Sequence, residues 1–355
     1  MSVGGGGGGG GGSAPAMFAK CRAMYSRLLG RSDYDALLRR ASVPRIAEYL
    51  KKETHYAHAL RRLNEHDAHR GQLERALKQS LFYDYEKLLS FSCGGCKEAI
   101  RALFEAHEVN DLKLVISSIC SDHEQLLAAG DLDYARRYSS FGADALLSPT
   151  SIQGLAENLK GTRYYDVLQP FAASERPDFL LIDRALDMLT HRSKLEALRK
   201  HMSGAARATC LDAYGQEVDI ANIQFIYRMK KLFRYPPQTV VACLVPHHHR
   251  IDSQALVEMA ECESMEALSG LAARTRYKEL FPPGGESTWE TIQAEHFCGL
   301  HHRNLRNPGA GGSAALSYLH LKETDIRNII VIVEGVRYAL PTKQINSLLV
   351  CGRAA

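Results

Sequence analysis

Two groups of residues have the types and spacings that thiol or metal chemistry needs. The first is Cys93 and Cys96, the one Cys-x-x-Cys pattern, which precedes a helical stretch starting near Lys97. A helix N-terminus stabilises a thiolate, so the pair could act as a redox dithiol. No thioredoxin-like βαβ pattern surrounds it, and no second Cys-x-x-Cys completes a zinc site. We therefore favour a plain turn between two helices.

The second group consists of histidines in two clusters. Three adjacent histidines, residues 247–249, follow Pro246 and form a predicted exposed loop, because neighbouring side chains on one extended segment do not readily converge on a metal ion. The later cluster has the spacing of one helix face but lacks an identifiable outside ligand. Its members are His296, Cys298, His301 and His302.

Other catalytic patterns are missing from the sequence. It contains no Gly-Lys-Ser/Thr of a phosphate-binding loop, no His-Glu-x-x-His and no Gly-x-Ser-x-Gly. We assign no catalytic, cofactor-binding or metal-ligating residue and expect no cofactor. The nine cysteines show no framework spacing, which favours a reducing, cytosolic compartment.

Helical periodicity dominates the elements that carry these residues. Leucines and tyrosines recur at helical spacing over residues 77–89 and leucines over residues 180–198, whereas alternating, strand-like patterns are scarce. The chain is therefore predicted to be mainly α. Apolar runs such as 329–333 are far shorter than the roughly 18 residues of a membrane span.

An internal repeat is the most informative feature. Three segments open with a serine suited to cap a helix (Ser42, Ser151 and Ser264), and each ends in Thr-x-Tyr eleven or twelve residues later. The threonine is expected to cap the next helix, with the tyrosine facing the core. The three pairs are Thr54 and Tyr56, Thr162 and Tyr164, and Thr275 and Tyr277.

We call each of these Ser-to-Tyr segments a first box. A second box follows each of them further along the chain. An aspartate precedes apolar residues at helical spacing, and an asparagine stands three positions after it in two copies, with Leu114 in the other. We expect each aspartate to open and cap its apolar helix. The box residues are Asp111, Asp219 with Asn222, and Asp325 with Asn328.

The spacing of the boxes predicts three homologous helical units. The aspartates are 108 and 106 residues apart, far beyond the period of short-repeat solenoids. The predicted units are residues 17–125, 126–240 and 241–355, arranged as a pseudo-threefold body. Residues 1–16, with nine consecutive glycines, are predicted to be a disordered tail.

Composition adds little to this picture. Apolar residues make up 45% and charged residues 24%, as in ordinary globular proteins, and the net charge is +4. Residues 18–90 contain fifteen Lys and Arg against nine Asp and Glu. This local excess favours an acidic partner, although an ordinary solvated face explains it better than nucleic-acid binding.

Several stretches resemble the C subunit of archaeal and bacterial V/A-type ATPases, which is homologous to the d subunit of the eukaryotic vacuolar ATPase. The resemblance covers about residues 18–350, and the last box is its most specific part. The stretches are residues 23–29, 34–38, 46–50, 54–56, 69–74, 218–230 and 322–338.

The resemblance implies a funnel of three similar helical domains that seats a rotor shaft on a ring of membrane proteolipids. It further implies a non-catalytic central-stalk subunit of a hetero-oligomeric complex that transports protons or sodium. On this basis the chain is expected to lie at the cytoplasmic face of the membrane without spanning it, and to bind no nucleic acid.

Two other functions stay open at this point. A free-standing helical adaptor that binds another protein would show the same repeat and the same lack of catalytic motifs. A thiol or metal enzyme would use Cys93 and Cys96, or the cluster of residues 296–302.

Overall fold

The computed structural model describes residues 14–64, 68–121, 127, 131–132, 134–174, 177–282, 288–307 and 311–350. Across these ranges the backbone forms helices and turns, with no β-strand. The prediction of a mainly α protein is confirmed. The arrangement of three repeats in a funnel stays a prediction.

Between Ala14 and His201 the described residues form ten helices of very unequal length. The first set is α1 (Ala14–Tyr25), α2 (Arg31–Leu38), α3 (Val43–Glu53), a 3₁₀ turn (His55–His58), α4 (Arg70–Phe91) and α5 (Gly94–Cys120). The next set is α6 (Ala135–Tyr138), α7 (Asp144–Leu147), α8 (Ile152–Asn158), α9 (Tyr165–Leu168), a 3₁₀ turn (Gln169–Phe171) and α10 (Phe179–His201).

The remaining elements complete the described chain. They are α11 (Gly204–Arg228), a π-helical turn (Met229–Phe233), α12 (Pro237–Ala242), α13 (Ser253–Glu261), α14 (Met265–Ala272), a 3₁₀ turn (Lys278–Leu280), α15 (Trp289–Asn304), α16 (Gly311–Arg337) and α17 (Thr342–Ser347).

Helix α1 begins before the position that the sequence suggested. Residues 14–16 were expected to belong to the glycine-rich tail, yet they form the first turn of α1. Pro15 is tolerated there because the N–H groups of a first helical turn have no intrahelical partner to lose. The rest of the predicted tail, residues 1–13, lies outside the described residues.

The described residues group into two compact units, each built from separate stretches of chain. Unit 1 draws on the described residues within 1–101, 200–210 and 298–355, and unit 2 on those within 102–199 and 211–297. In unit 1, helices α1, α2, α3 and α4 all pack against α16. In unit 2, an apolar core joins residues of α5, α8 and α10, including Leu112, Leu155 and Ile182.

The ends of α11 and α16 correspond in sequence and differ by one residue. Beyond the end of each long helix the backbone reaches a non-glycine residue in the left-handed region, Arg234 after α11 and Ala339 after α16, both with φ of 53°, and a proline follows two residues later. Counted from the aspartate of the box, this residue comes 15 positions later for α11 and 14 positions later for α16. The π-helical turn Met229–Phe233 absorbs the extra residue, as single π turns commonly do.

Candidate functional site

Each threonine of the Thr-x-Tyr boxes bridges two parts of its own backbone. The Oγ1 atoms of Thr54, Thr162 and Thr275 accept the N–H of the tyrosine two residues later, at 3.2, 3.2 and 3.1 Å. The same hydroxyls donate to a carbonyl oxygen three or four residues earlier, at 2.6–2.7 Å. This pair of bonds fixes the turn from which the tyrosine enters the core.

The serines that open the boxes are not equivalent. Ser151 and Ser264 accept the N–H of the third residue after them, at 3.1 and 3.0 Å, as N-cap residues do. Ser42 occupies the N-cap of α3 without a side-chain capping bond.

The three tyrosines are buried, and each hydroxyl meets a carboxylate from the second box of another repeat. Tyr56 donates to Asp325 Oδ2 and Tyr277 to Asp219 Oδ2, both at 2.9 Å. Tyr164 donates to Glu108, which lies three residues before Asp111 on α5. Burial beside these carboxylates raises the pKa of all three tyrosines, so the hydroxyls stay protonated donors.

The aspartates of the second box do not cap helices. Asp111, Asp219 and Asp325 lie within α5, α11 and α16, and they are 8%, 0% and 3% exposed. The predicted capping role is wrong, because the polar residues before each aspartate continue the helix instead of starting it. The carboxylates serve other segments of chain.

Each aspartate accepts backbone N–H groups from a distant turn. Asp111 Oδ2 accepts from residues 134 and 135 at 2.9 and 2.7 Å, and Asp219 accepts from residues 249 and 250 at 3.2 and 2.7 Å. Asp325 accepts from the N–H of Leu29 at 3.5 Å. The buried negative charges are thus compensated by several donors, which burial of a carboxylate requires.

The asparagines clamp a backbone position further along the chain. Asn222 accepts the N–H of Val245 at 2.9 Å and donates to its carbonyl at 3.0 Å. Asn328 accepts from Val350 at 3.0 Å and donates to its carbonyl. Leu114, at the corresponding position of α5, cannot form such a pair and is 39% exposed.

Unit 1 adds charged residues to its tyrosine–carboxylate pair. Lys322, one helical turn before Asp325 on α16, is fully buried and donates to His55 Nε2 at 2.6 Å. Its Nζ also lies 3.7 Å from the ring centroid of Tyr56, a cation–π contact. Tyr34 gives Asp325 a further O–H donor, at 2.5 Å.

Burial dominates the titration of this cluster. It lowers the pKa of Lys322 to about 8, although Asp325 opposes the shift. It raises the pKa of Asp325, against the ammonium of Lys322 and the two tyrosine hydroxyls. Burial and then Lys322 lower the pKa of His55 to about 3, so its imidazole is neutral and accepts a hydrogen bond from the lysine ammonium.

Unit 2 also contains a buried cationic side chain, that of Arg184. Arg184 of α10 donates to Asn222 Oδ1 at 2.9 Å and to the carbonyl of Cys243 at 2.7 Å. Its guanidinium also stacks on the ring of Phe225, 4.3 Å from the centroid. These bonds tie α10 to α11 and to the segment after α12.

The structure gives the Cys93–Cys96 pair little of the character of a redox dithiol. Cys96 lies in the first turn of α5 with its thiol 3.9 Å from the carbonyl oxygen of Gly312. Burial raises the pKa of this thiol to about 11, which disfavours the reactive thiolate. Neither cysteine is part of a disulfide bond.

The histidine clusters bond to separate partners. In the 247–249 loop, His249 Nε2 contacts Asp212 at 2.9 Å. On α15, His296 contacts Gln216 at 2.9 Å, and His302 contacts the hydroxyl of Tyr25 at 2.7 Å. Cys298 is disulfide-bonded, so its sulfur offers no thiolate to a metal ion.

Comparison with known proteins decides the family. The family model described as "ATP synthase (C/AC39) subunit" matches residues 17–348. The chain belongs to the ATP synthase (C/AC39) subunit family. The match includes all the tyrosines, aspartates and asparagines of the two boxes, and it confirms the resemblance seen in the sequence.

Curated relatives agree, and those compared are the C subunits of archaeal A-type ATP synthases. The relative from Archaeoglobus fulgidus is 23% identical over 334 residues, which cover 94% of both chains. The relative from Halobacterium salinarum is 28% identical over 359 residues, covering 95% of this chain and 99% of its own length. The relative from Methanosarcina mazei is 24% identical over 266 residues, 73% of this chain and 69% of its own length.

Membership in a subunit family of ATP synthases makes this chain one part of a hetero-oligomeric complex. Among its described helices, none combines the length and apolar character needed to cross a bilayer.

Sequence reasoning missed several residues of the unit 1 and unit 2 clusters. Lys322 and Glu108 had a signal, since each is a charged residue three positions before a box aspartate and so lies on the same face of its helix. Tyr34, His55 and Arg184 had none, because their partners lie far away in the chain.

Proposed function

We propose that this chain is the non-catalytic central-stalk subunit of a V/A-type rotary ATPase. It acts as a socket that couples the rotor shaft to the membrane proteolipid ring during proton or sodium transport. It sits on the cytoplasmic face of the membrane through the complex, without a spanning segment of its own.

The observation that carries this proposal is the family match over residues 17–348. Two of the A-type ATP synthase relatives align along nearly their whole length, so the similarity is that of a complete subunit and not of a shared module. The sequence also lacks the Gly-Lys-Ser/Thr of a phosphate-binding loop, in keeping with a subunit that leaves nucleotide chemistry to others.

The packing suits a part that transmits force. In each unit, buried hydroxyl–carboxylate and amide–backbone bonds connect long helices to distant turns. Interiors packed at crystal-like density deform little, and satisfied buried polar bonds hold one register against alternatives. A helix bound in this way passes a torque to its neighbours instead of sliding past them.

The test is purification of the tagged chain from membranes of its native host. We expect the catalytic subunits and the proteolipid to co-purify in fixed ratios. Depletion of the chain is expected to leave ATP hydrolysis by the catalytic subunits while ion pumping into vesicles is lost. A chain recovered with other proteins and without ATPase subunits would support the free-standing adaptor and overturn the proposal.

A further inference from the structure

A groove runs along unit 1 where α1 and α4 lie side by side on α16. It consists of two adjoining depressions that share Tyr83 and Lys87. Its rim residues from the α1 side are Lys20, Met24 and Arg27, and those from the α4 side are Tyr83, Lys87 and Phe91. We call this feature the α1–α4 groove.

The rim of the groove is basic. Lys20 and Arg27 have no carboxylate partner at ion-pair distance among the described residues, and Lys20 lies 5.9 Å from the ring centroid of Phe91. Lys87 is 52% exposed and 3.3 Å from Asp84. The positive charges are therefore only partly matched from within the chain.

The carboxylates of the groove do not cancel this charge. Asp84 is 6% exposed, and it already accepts the hydroxyl of Tyr318 at 2.6 Å as well as the contact from Lys87. Asp84 lines the first depression, and Glu86 is the acidic residue that lines the second. The buried Lys322 behind His55 is opposed by Asp325 on the same helix. The groove therefore sets Lys20, Arg27 and Lys87 against Asp84 and Glu86, a surplus of one positive charge.

We propose that the α1–α4 groove binds an acidic segment of a protein partner, whose carboxylates contact Arg27, Lys87 and Lys20. Charge-assisted hydrogen bonds from guanidinium and ammonium groups to carboxylates are the strong contacts available at such a rim. Met24, Tyr83 and Phe91 supply apolar and aromatic surface beside them. Part of the basic excess over residues 18–90 is thus located at this groove.

The groove favours a protein segment over other occupants. A lipid surface would need exposed apolar side chains to insert, and among the described residues that line the groove the one large apolar side chain that is exposed is Tyr83, at 38%. The terminal segments 1–13 and 351–355 contain no acidic side chain, so neither matches the charge of the groove. A concave surface with separated cations fits discrete carboxylates.

The first test uses the purified full-length chain and a fluorescent helical peptide that carries four glutamates along one face. We expect saturable binding that weakens with added salt and is absent for the peptide with glutamine in place of glutamate. The double variant Arg27→Gln, Lys87→Gln is expected to bind about tenfold more weakly, the effect of losing a hydrogen bond to a charged group.

Lys78→Gln is the matched control. Lys78 is 50% exposed on α4, nine residues before Lys87 and hence half a turn away on the opposite face. Its substitution should leave peptide binding unchanged. Equal binding of the glutamine peptide, or an equal loss with Lys78→Gln, would overturn the inference.

The second test uses the complex from native membranes, with a photo-crosslinking phenylalanine in place of Tyr83 and, as control, of Lys78. A cross-link from position 83 to an Asp- or Glu-rich stretch of another subunit supports the proposal. Cross-links to lipid alone, or none above the control, contradict it. The inference rests on the proposed function for the presence of a complex, but the peptide test needs no complex, so the two can fail separately.

Discussion

At the scale of single residues, each box tyrosine donates a hydrogen bond to a buried carboxylate. Because the carboxylate is buried, water cannot take the place of that hydroxyl. We therefore expect Tyr277→Phe to lower the free energy of unfolding by about 1–3 kcal/mol, since Asp219 stays buried with one donor fewer. The ring is unchanged, so no cavity contributes. Chemical denaturation followed by circular dichroism measures the difference.

Tyr338→Phe is the control for that prediction. Tyr338 is 64% exposed, and loss of its hydroxyl is expected to change the free energy of unfolding by less than about 0.5 kcal/mol. If Tyr277→Phe were equally neutral, the buried hydrogen bond would not contribute to stability.

Lys322 predicts an unusual dependence of stability on pH. Its pKa is lowered from 10.5 to about 8 in the folded chain, so between these values the unfolded state binds more protons. Stability from this residue therefore rises as the pH increases from about 8 to 10.5, by up to about 3 kcal/mol. Below pH 8 the contribution is constant.

The comparison of the natural chain with Lys322→Met isolates this effect. Denaturation at pH 8, 9 and 10 is expected to show that the free energy of unfolding of the natural chain increases relative to that of the variant at each step. The raised pKa values of Tyr34 and Tyr56 act in both chains and so affect the difference little. A difference that stays flat with pH would show that Lys322 titrates normally.

At the scale of elements, the sequence predicts the helices well and the role of the aspartates poorly. Burial of Leu60, Leu168 and Leu280 after the Thr-x-Tyr boxes agrees with the helical pattern. An aspartate before an apolar run has the same local pattern whether it starts a helix or lies within one. Only the distant backbone N–H groups decide, and they leave no local trace.

The sequence also does not show which tyrosine pairs with which carboxylate, because the spacings within and between repeats are nearly equal. Within a repeat, Thr54 and Asp111 are 57 residues apart. Between repeats, Glu108 and Tyr164 are separated by 56 residues, and Asp219 and Tyr277 by 58. The two boxes lie half a period apart, so the sequence cannot tell which neighbour supplies the partner.

Two glycines in helices allow the effect of close packing to be distinguished from the effect of helix propensity. A Cβ at Gly95 would lie 1.5 Å from the carbonyl oxygen of His201, whereas a Cβ at Gly270 would meet nothing within 4 Å. We expect Gly95→Ala to destabilise the protein by more than about 1 kcal/mol through this clash. Gly270→Ala, within α14, should stabilise it by about 0.5–1 kcal/mol.

Thermal unfolding of the two variants checks both signs. A stabilised Gly95→Ala would mean that the turn at the start of α5 moves freely away from residue 201. A destabilised Gly270→Ala would mean that α14 is packed more closely than the structure shows.

At the scale of the whole molecule, the pairs cross the boundaries of the predicted repeats. A fragment of residues 126–240 contains Tyr164 without Glu108 and Asp219 without Tyr277. A fragment of residues 102–297 contains both partners of both pairs. We expect the longer fragment to unfold cooperatively and the shorter one to lack a cooperative transition, as seen by calorimetry.

The reverse outcome is equally informative. If residues 126–240 unfolded cooperatively on their own, each sequence repeat would be a folding unit, and the pairs between repeats would be secondary to packing within them. The fragment comparison thus tests the repeat boundaries directly, which the described contacts leave as a prediction.

The bond between Tyr56 and Asp325 sets an order of events on the ribosome. Its partners are 269 residues apart, against 56 and 58 for the pairs of unit 2. At usual translation speeds the N-terminal helices wait on the order of tens of seconds for α16 to emerge. Unit 2 can form its pairs in that interval, whereas leucines and tyrosines of the N-terminal helices that pack against α16 stay exposed to solvent until α16 emerges.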